Sequence, residues 1–421
     1  MVSREVLAVV GLGYVGLPLA ARASEVGLAT VGFDVSPTVV AGLNAGRSHV
    51  GDVPDATVAA MRDRGFAASG DPAALVGSDT VVICVPTGLD AAGAPDLSAL
   101  RAAGHTVGRA LRPGTLVVLE STSHPGTTDT LLREILEKES GLRAGEDFHL
   151  AYSPERIDPG NPHYDLRNTP KIVSGYTPLC LKHATALYQR LVDRLVLSVG
   201  TREAEMAKLL ENTHRYVNIA LVNEVARYCE RADIDVWDVL HCAGTKPFGY
   251  TPFQPGPGVG GHCVPVDPRY LAAHAAEQGF TFELLAAARR VISGMPERVV
   301  ARAAVVLRRH GRELAGSRVL LLGVAYKPDV ADVRESPAFP VAALLRAAGA
   351  EVVYHDPLVP AFAADGVPLS RETDLSGALD RADLAILLQD HACYPARQLA
   401  QAPCALLDTR GKTAGARVTL L

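Results

Sequence analysis

Val6-Leu7-Ala8-Val9-Val10-Gly11-Leu12-Gly13-Tyr14-Val15-Gly16 decides the fold. Its five leading apolar residues read as a strand buried on both faces of a parallel sheet. The glycines then fall in the pattern GxGxxG. Gly11 permits a tight turn, Gly13 lets the backbone approach a pyrophosphate, and Gly16 lets the next helix pack on the sheet. Tyr14 and Val15 sit where the free N–H groups of that helix meet phosphate. The following strand, Thr30 to Phe33, ends at Asp34, 23 residues after Gly11. A carboxylate there binds both ribose hydroxyls of NAD and repels the extra phosphate of NADP. Val35-Ser36-Pro37 follow, with no adjacent Arg to receive such a phosphate.

Outward from this turn, strands and helices alternate. Thr80 to Val85, Thr115 to Glu120, Phe148 to Tyr152 and Lys171 to Ser174 are further apolar strands. Such alternation predicts a doubly wound sheet over residues 1–200. Strand ends on one side of that sheet face a ligand crevice, which nominates Pro86 and Thr87 and then Ser121 and Thr122 for cofactor binding. Turn formation or helix capping is the alternative for the three hydroxyl residues. Thr201 to Arg231 has helical spacing without Gly or Pro and predicts one long helix. Asp233 to Cys242 predicts a short one after it. Arg318 to Gly323 (RVLLLG) starts a second strand–turn–helix pattern, and Glu351 to Tyr354, Leu384 to Leu388 and Ala405 to Leu407 continue it. The expected fold is therefore α/β: two Rossmann-like doubly wound domains joined by a long central helix. The expected domains are 1–200, a central helical and active-site loop region over 201–310, and 311–421. The second turn reads GVAYKPD and lacks the close-approach glycine of the first.

Composition excludes several classes. A chain of 421 residues exceeds one ordinary core, and 48% hydrophobic residues support more than one. A net charge of -5 gives no nucleic-acid footprint. No uncharged apolar run is long enough for a bilayer, and the N-terminus lacks a signal-peptide layout, so no membrane partner and a cytoplasmic location are expected. Seven cysteines without a CxxC pair argue against a disulfide framework or structural zinc, and no metal is expected.

The second decisive stretch is Tyr250 to Pro268, YTPFQPGPGVGGHCVPVDP. Its glycines admit a ligand to the backbone and its prolines stiffen the loop. Cys263 sits among polar, ionisable neighbours, and as a thiolate it attacks an aldehyde. Cys229 and Cys404 read as small buried hydrophobes. Lys208 and Asn212 lie one turn apart on the long helix, suited to polarising and holding an oxyanion; a solvated helix lysine is the alternative for Lys208. Glu155, after a sheet strand, is either a general base acting through water or a carboxylate paired with Arg156 or capping a turn.

GPGVGGHCVPVDP, AEMAKLLENTHRYVNIALVNE and AYKPDVADVRESP together resemble the nucleotide-sugar 6-dehydrogenases, the family of UDP-glucose 6-dehydrogenase. SPERIDPGNP, NTPKIVSG and KPFGYTPFQPGPG look closest to its UDP-N-acetylglucosamine or related UDP-N-acetylhexosamine branch. The resemblance implies an NAD domain, a dimer-building central helix and a UDP-sugar domain. It implies double oxidation of a CH2OH group, consuming two NAD and one water. Cys263 would be the nucleophile, Glu155 would activate the hydrolytic water, and Asp267 would assist proton transfer. Lys327 and Arg410 would contact the UDP-sugar, and Arg334 would approach the cofactor. Tyr250, Phe253, Pro255, Gly256 and Gly260 would wrap the sugar and diphosphate. His124 in STSHPGTT stands where a small or apolar residue is expected in relatives.

Three other readings compete. UDP-glucose is an alternative substrate. A 6-phosphogluconate or hydroxyacid dehydrogenase would share the first domain and the helix, but needs neither Cys263 nor the KPDVADVRES domain. A nucleotide-binding module without catalysis predicts NAD binding and no turnover.

Overall fold

The computed structural model describes residues 5–158 and 160–421. Met1 to Arg4 and Pro159, part of the N-terminal and SPERIDPGNP readings, lie outside the described residues. Contacts divide the chain into two compact units. The first holds Met1–Glu211 and Arg269–Gly279, the second Asn212–Pro268 and Phe280–Leu421.

The first unit contains an eight-stranded sheet. Its strands are β1 (Val6–Val10), β2 (Ala29–Phe33), β3 (Ala67–Ser69), β4 (Thr80–Ile83), β5 (Leu116–Leu119), β6 (His149–Tyr152), β7 (Lys171–Gly175) and β8 (Leu195–Leu197). Their spatial order is β8-β7-β6-β5-β4-β1-β2-β3. All pairs are parallel except β6 with β7. Every residue of β4, β5 and β6 is buried, which explains why these strands read as mostly apolar runs, with Thr80 and His149 the polar members. Burying each Val or Leu there contributes roughly 1.5–3 kcal/mol. The strand order turns between β1 and β4, so the crevice opens over their carboxyl ends.

Gly11 has φ 90°, and a Cβ on it would lie 2.7 Å from the Cys84 carbonyl oxygen. A Cβ on Gly16 would lie 1.8 Å from the Gly11 oxygen, so helix α1 (Gly16–Glu25) can start there only with glycine.

The long helix α2 spans Thr201–Ala232 and runs through both units. Asp233, with φ 56°, ends it. The short helix expected from Asp233 begins later, at Val236, because the Asp235 carboxylate caps it by accepting from the Trp237 and Asp238 amides. Helix α3 then covers Val236–Gly244, and α4 covers Asp267–Glu277.

The second unit contains a six-stranded, wholly parallel sheet. Its strands are β9 (Arg318–Leu322), β10 (Glu351–His355), β11 (Ser370–Arg371), β12 (Leu384–Leu387), β13 (Ala405–Asp408) and β14 (Val418–Leu420). The order is β11-β10-β9-β12-β13-β14, with its own reversal between β9 and β12. The edge strands β3, β8, β11 and β14 have two or three residues each, too few for a periodic pattern to announce.

The candidate active site

In the first unit the fingerprint turn has an open side. A Cβ on Gly13 would meet nothing within 4 Å. Asp34, half-buried, accepts from the Leu12 amide at 2.9 Å and the Ser36 amide at 2.8 Å. Those two bonds fix its carboxylate at the strand end and leave lone pairs for ribose hydroxyls. Tyr14 is partly exposed on this turn. These residues fit a dinucleotide: the turn is close to the sheet where the helix needs it and clear where a pyrophosphate would lie.

The later strand ends behave differently from one another. Pro86 is exposed and Thr87 buried. Ser121 turns inward, donating its hydroxyl to the Val85 carbonyl at 2.7 Å. Thr122 remains half-buried between Ser121 and the rest of the loop.

Glu155 has a partner the sequence did not suggest. Lys171, 3% exposed at the start of β7, lies 2.9 Å from Glu155 Oε2 and 3.1 Å from Glu120 Oε2. Glu155 Oε1 also accepts from the Arg156 and Ile157 amides at 2.6 Å. Burial opposes its ionisation, but the Lys171 ammonium and these donors outweigh burial and hold the carboxyl below its ordinary value. Glu120 is pushed the other way, by burial first, despite Lys171 and a hydroxyl donated by Tyr188. Arg156 itself pairs with Glu211 and donates to the Pro170 carbonyl. Glu155 is thus an oriented carboxylate with an ammonium beside it, and it caps the turn after β6. Lys208, 8% exposed, also belongs to this unit.

In the second unit the Gly/Pro-rich loop is laid on the sheet. A Cβ on Gly260 would lie 2.7 Å from the Tyr326 Cβ, and one on Gly261 2.7 Å from the Tyr326 ring. The Gly261 amide donates to the Arg334 carbonyl at 2.9 Å. The Gly256 amide donates to Asn223 Oδ1 of α2 at 3.0 Å, and Pro255 and Gly256 are buried. Tyr250 and Phe253 are half-buried. Cys263 is half-buried, and its carbonyl accepts from the Val266 and Asp267 amides, closing the turn that starts α4. Asn212 donates its side-chain amide to Asp267 Oδ2 at 2.5 Å. The fold therefore gathers Cys263, Asp267 and Asn212 at one place. Lys208 follows one helical turn before Asn212 on α2, on the same face.

The AYKPD turn is closed on itself. Asp356, fully buried at the end of β10, accepts from the Val324 amide at 2.8 Å and the Ala325 amide at 3.1 Å. His391 Nε2 lies 3.0 Å from the same carboxylate, and the Leu358 and Val359 amides also donate to it. Burial resists its charge, yet His391 and the amides hold its pKa down to about 2. His391 Nδ1 accepts from the Asp329 amide at 2.9 Å, beside Lys327. Arg334 is exposed and its guanidinium pairs with Asp332. Arg410 Nε donates to the Leu388 carbonyl at 2.7 Å, and its Nη1 would stand 3.1 Å from a Cβ on Gly256. Burial lowers its pKa to about 10 against the pull of Asp390 and Asp408, so it stays cationic at neutral pH and suits an anionic ligand.

Sequence reasoning missed Glu205, Asn223 and Lys171. Glu205, Lys208, Asn212, Tyr216 and Asn223 recur at helical spacing, and polar residues at buried helix positions were the available signal. Among the described residues no group of three or more His, Cys, Asp or Glu could hold a metal, none of the seven cysteines is in a disulfide, and no helix is long and apolar enough to cross a membrane.

Two Rossmann-like sheets, the first with an open dinucleotide turn and the second with a half-buried arginine against a Gly/Pro-rich cysteine loop, define the class of nucleotide-binding oxidoreductases. The chain belongs to the UDP-glucose/GDP-mannose dehydrogenase family, whose NAD binding domain matches residues 5–192, central domain 202–292 and UDP binding domain 320–414. It is an NAD-dependent UDP-sugar 6-dehydrogenase. It is 37% identical to a UDP-N-acetyl-D-glucosamine 6-dehydrogenase of Pseudomonas aeruginosa, over 84% of this chain and 83% of that one. It is 34% identical to a UDP-N-acetyl-D-mannosamine dehydrogenase of Yersinia pestis, over 94% and 95%. The structure of a UDP-D-ManNAc dehydrogenase from Pyrococcus horikoshii superposes with TM-score 0.90 at 31% identity, covering 99% and 98%.

Proposed function

We propose that the enzyme converts the C6 hydroxymethyl group of a UDP-N-acetylhexosamine, UDP-N-acetylglucosamine first, to the carboxylate through a Cys263 thioester. The carrying observation is the convergence of Cys263, Asp267 and Asn212 in the second unit, with the loop folded on Tyr326. The similarity to two UDP-N-acetylhexosamine dehydrogenases supports the sugar class.

The Gly11–Gly16 turn and Asp34 would hold NAD, with Thr87 and Thr122 beside it. When bound, NAD would supply a hydride acceptor, one molecule for each of the two oxidations. Lys208 and Asn212 stabilise the oxygen on which negative charge develops. Cys263 adds its sulfur to the aldehyde carbon, which keeps the intermediate bound and leaves a C–H for the second oxidation. Asp267, held by Asn212, moves the proton. Glu155 is ionised, the state a base needs, and Lys171 fixes its direction; it activates the water that cleaves the thioester. Lys327 and Arg410 bind the UDP-sugar, with Arg410 meeting the diphosphate. Tyr250, Phe253, Pro255, Gly256 and Gly260 shape the loop over the sugar, and Arg334 serves the cofactor side. A homodimer is supported by Leu210, Leu221 and Tyr228, all exposed on α2.

A parallel assay with UDP-N-acetylglucosamine, UDP-N-acetylmannosamine, UDP-N-acetylgalactosamine and UDP-glucose tests the reading. The largest kcat/KM for uronate formation should fall on an N-acetylated sugar. Preferred turnover of UDP-glucose would reject the sugar class.

A further inference from the structure

Glu205 is fully buried, has no salt-bridge partner among the described residues, and is absent from the chemistry above. Every hydrogen bond to its carboxylate comes from one loop. Oε2 accepts from the Gly126 amide at 2.7 Å. Oε1 accepts from the Thr128 amide at 2.9 Å, the Thr128 hydroxyl at 2.7 Å and the Ser123 hydroxyl at 3.1 Å. Gly126 has φ 96° and caps the helical turn Thr127–Leu132, so the carboxylate also sits at a helix N-terminus, where negative charge is favoured. The same loop is tied at its start by Ser121 to the Val85 carbonyl. Thr122 is left half-buried between the two anchors. On α2, Glu205 stands three residues before Lys208, on the same face.

We infer that Glu205 is a positioning residue that clasps the cofactor loop 121–128 onto α2, setting Thr122 for NAD and the loop's distance from Lys208. The inference rests on the reading that this loop borders NAD. Its ionised form does the work, because a carboxylate can accept from all four donors at once. A neutral Gln cannot. With its oxygen toward Ser123 and Thr128, its NH2 faces the Gly126 N–H; flipped, it faces three donors. Burial raises the Glu205 pKa to about 7 against these bonds, so the clasp is half ionised near neutrality. The charged or titratable groups around it are Asp129 and Arg202, paired at 2.7 Å, with His124 stacked on His274 of α4.

The test is calorimetric titration of the full-length protein with NAD and, separately, with UDP. Glu205→Gln should weaken NAD about tenfold and leave UDP within twofold, while Ser123→Ala, losing the longest bond, should weaken NAD about twofold. Wild-type NAD affinity should rise several-fold from pH 6 to pH 8. His124→Gln should keep that rise, and Glu205→Gln should abolish it. Thr122→Val provides the separation. If Thr122→Val weakens NAD and Glu205→Gln does not, the clasp is wrong. If neither weakens NAD, the loop is not a cofactor contact, and the reading beneath the inference fails. Equal losses for NAD and UDP would mean a general structural role and also overturn it.

Discussion

The two sheets carry the same turn built to opposite ends. Each starts from a central strand followed by a glycine of positive φ: Gly11 at 90° and Gly323 at 75°. Each glycine amide donates to the neighbouring strand, Gly11 to Phe33 and Gly323 to His355. Each would clash with a carbonyl across the reversal point, Cys84 or Gln389, if it carried a Cβ. Each neighbouring strand is followed by an aspartate, Asp34 or Asp356. From there they part. Gly13 leaves open space above the first turn, and Asp34 engages one of its amides. Ala325 takes the matching place in the second, Pro328 the place of Gly16, and Asp356 occupies both the Val324 and Ala325 amides. A backbone that serves a dinucleotide in one sheet is spent internally in the other. In the proposed reading the second sheet offers side chains instead, among them Lys327 and Arg410.

Four expected outcomes would break or sharpen that contrast. The largest concerns the loop laid on the second sheet. Cys263→Ser should cut acid formation more than about 1000-fold while UDP-sugar binding persists. Product assay and calorimetry read the two separately, and normal uronate from the serine variant would reject the thioester. Next, Gly13→Ala should fold normally, because a Cβ there meets nothing in the protein, yet weaken NAD by about 100-fold. Ala325→Gly should leave NAD affinity unchanged, since the amides there are taken. Equal responses at the two positions would erase the distinction.

Third, Asp356→Asn should cost about 2–4 kcal/mol in denaturant unfolding, and Asp34→Asn less than about 1 kcal/mol. The folded pKa of Asp356 is depressed, so its stabilisation is present above the unfolded value of 3.8 and is lost as pH falls toward about 2. An Asp356→Asn variant as stable as wild type at pH 7 would contradict the closed turn. The smallest effect is on pH slope. Glu205 is raised from 4.5 to about 7, so its contribution is complete below pH 4.5 and fades as pH rises to 7. Relative to Glu205→Gln, wild type should lose roughly 1–3 kcal/mol across that window. Parallel slopes for the two proteins would remove Glu205 as the titrating group.

The sequence made the sheets legible because their central strands are buried on both faces and so are mostly apolar runs. The GxGxxG turn, the long helix and the Cys263 loop were legible for equally local reasons. Lys171 was not: it sits in a strand, 16 residues from Glu155, and only the antiparallel β6–β7 pairing joins them. Arg156 was the obvious partner by adjacency, but its side chain reaches Glu211 instead. The closure of the second turn was half legible. GVAYKPD showed that a glycine was missing, while the Asp356–His391 contact depends on strands that meet only in the folded sheet.

Everything chemical turns on whether one alcohol is oxidised twice at the same site. Quantify NADH and uronate together from a limiting, known amount of UDP-N-acetylglucosamine, or of whichever panel sugar turns over best. Two NADH per sugar consumed, with no aldehyde released, is the expected result. One NADH per sugar with free aldehyde in solution would contradict the account.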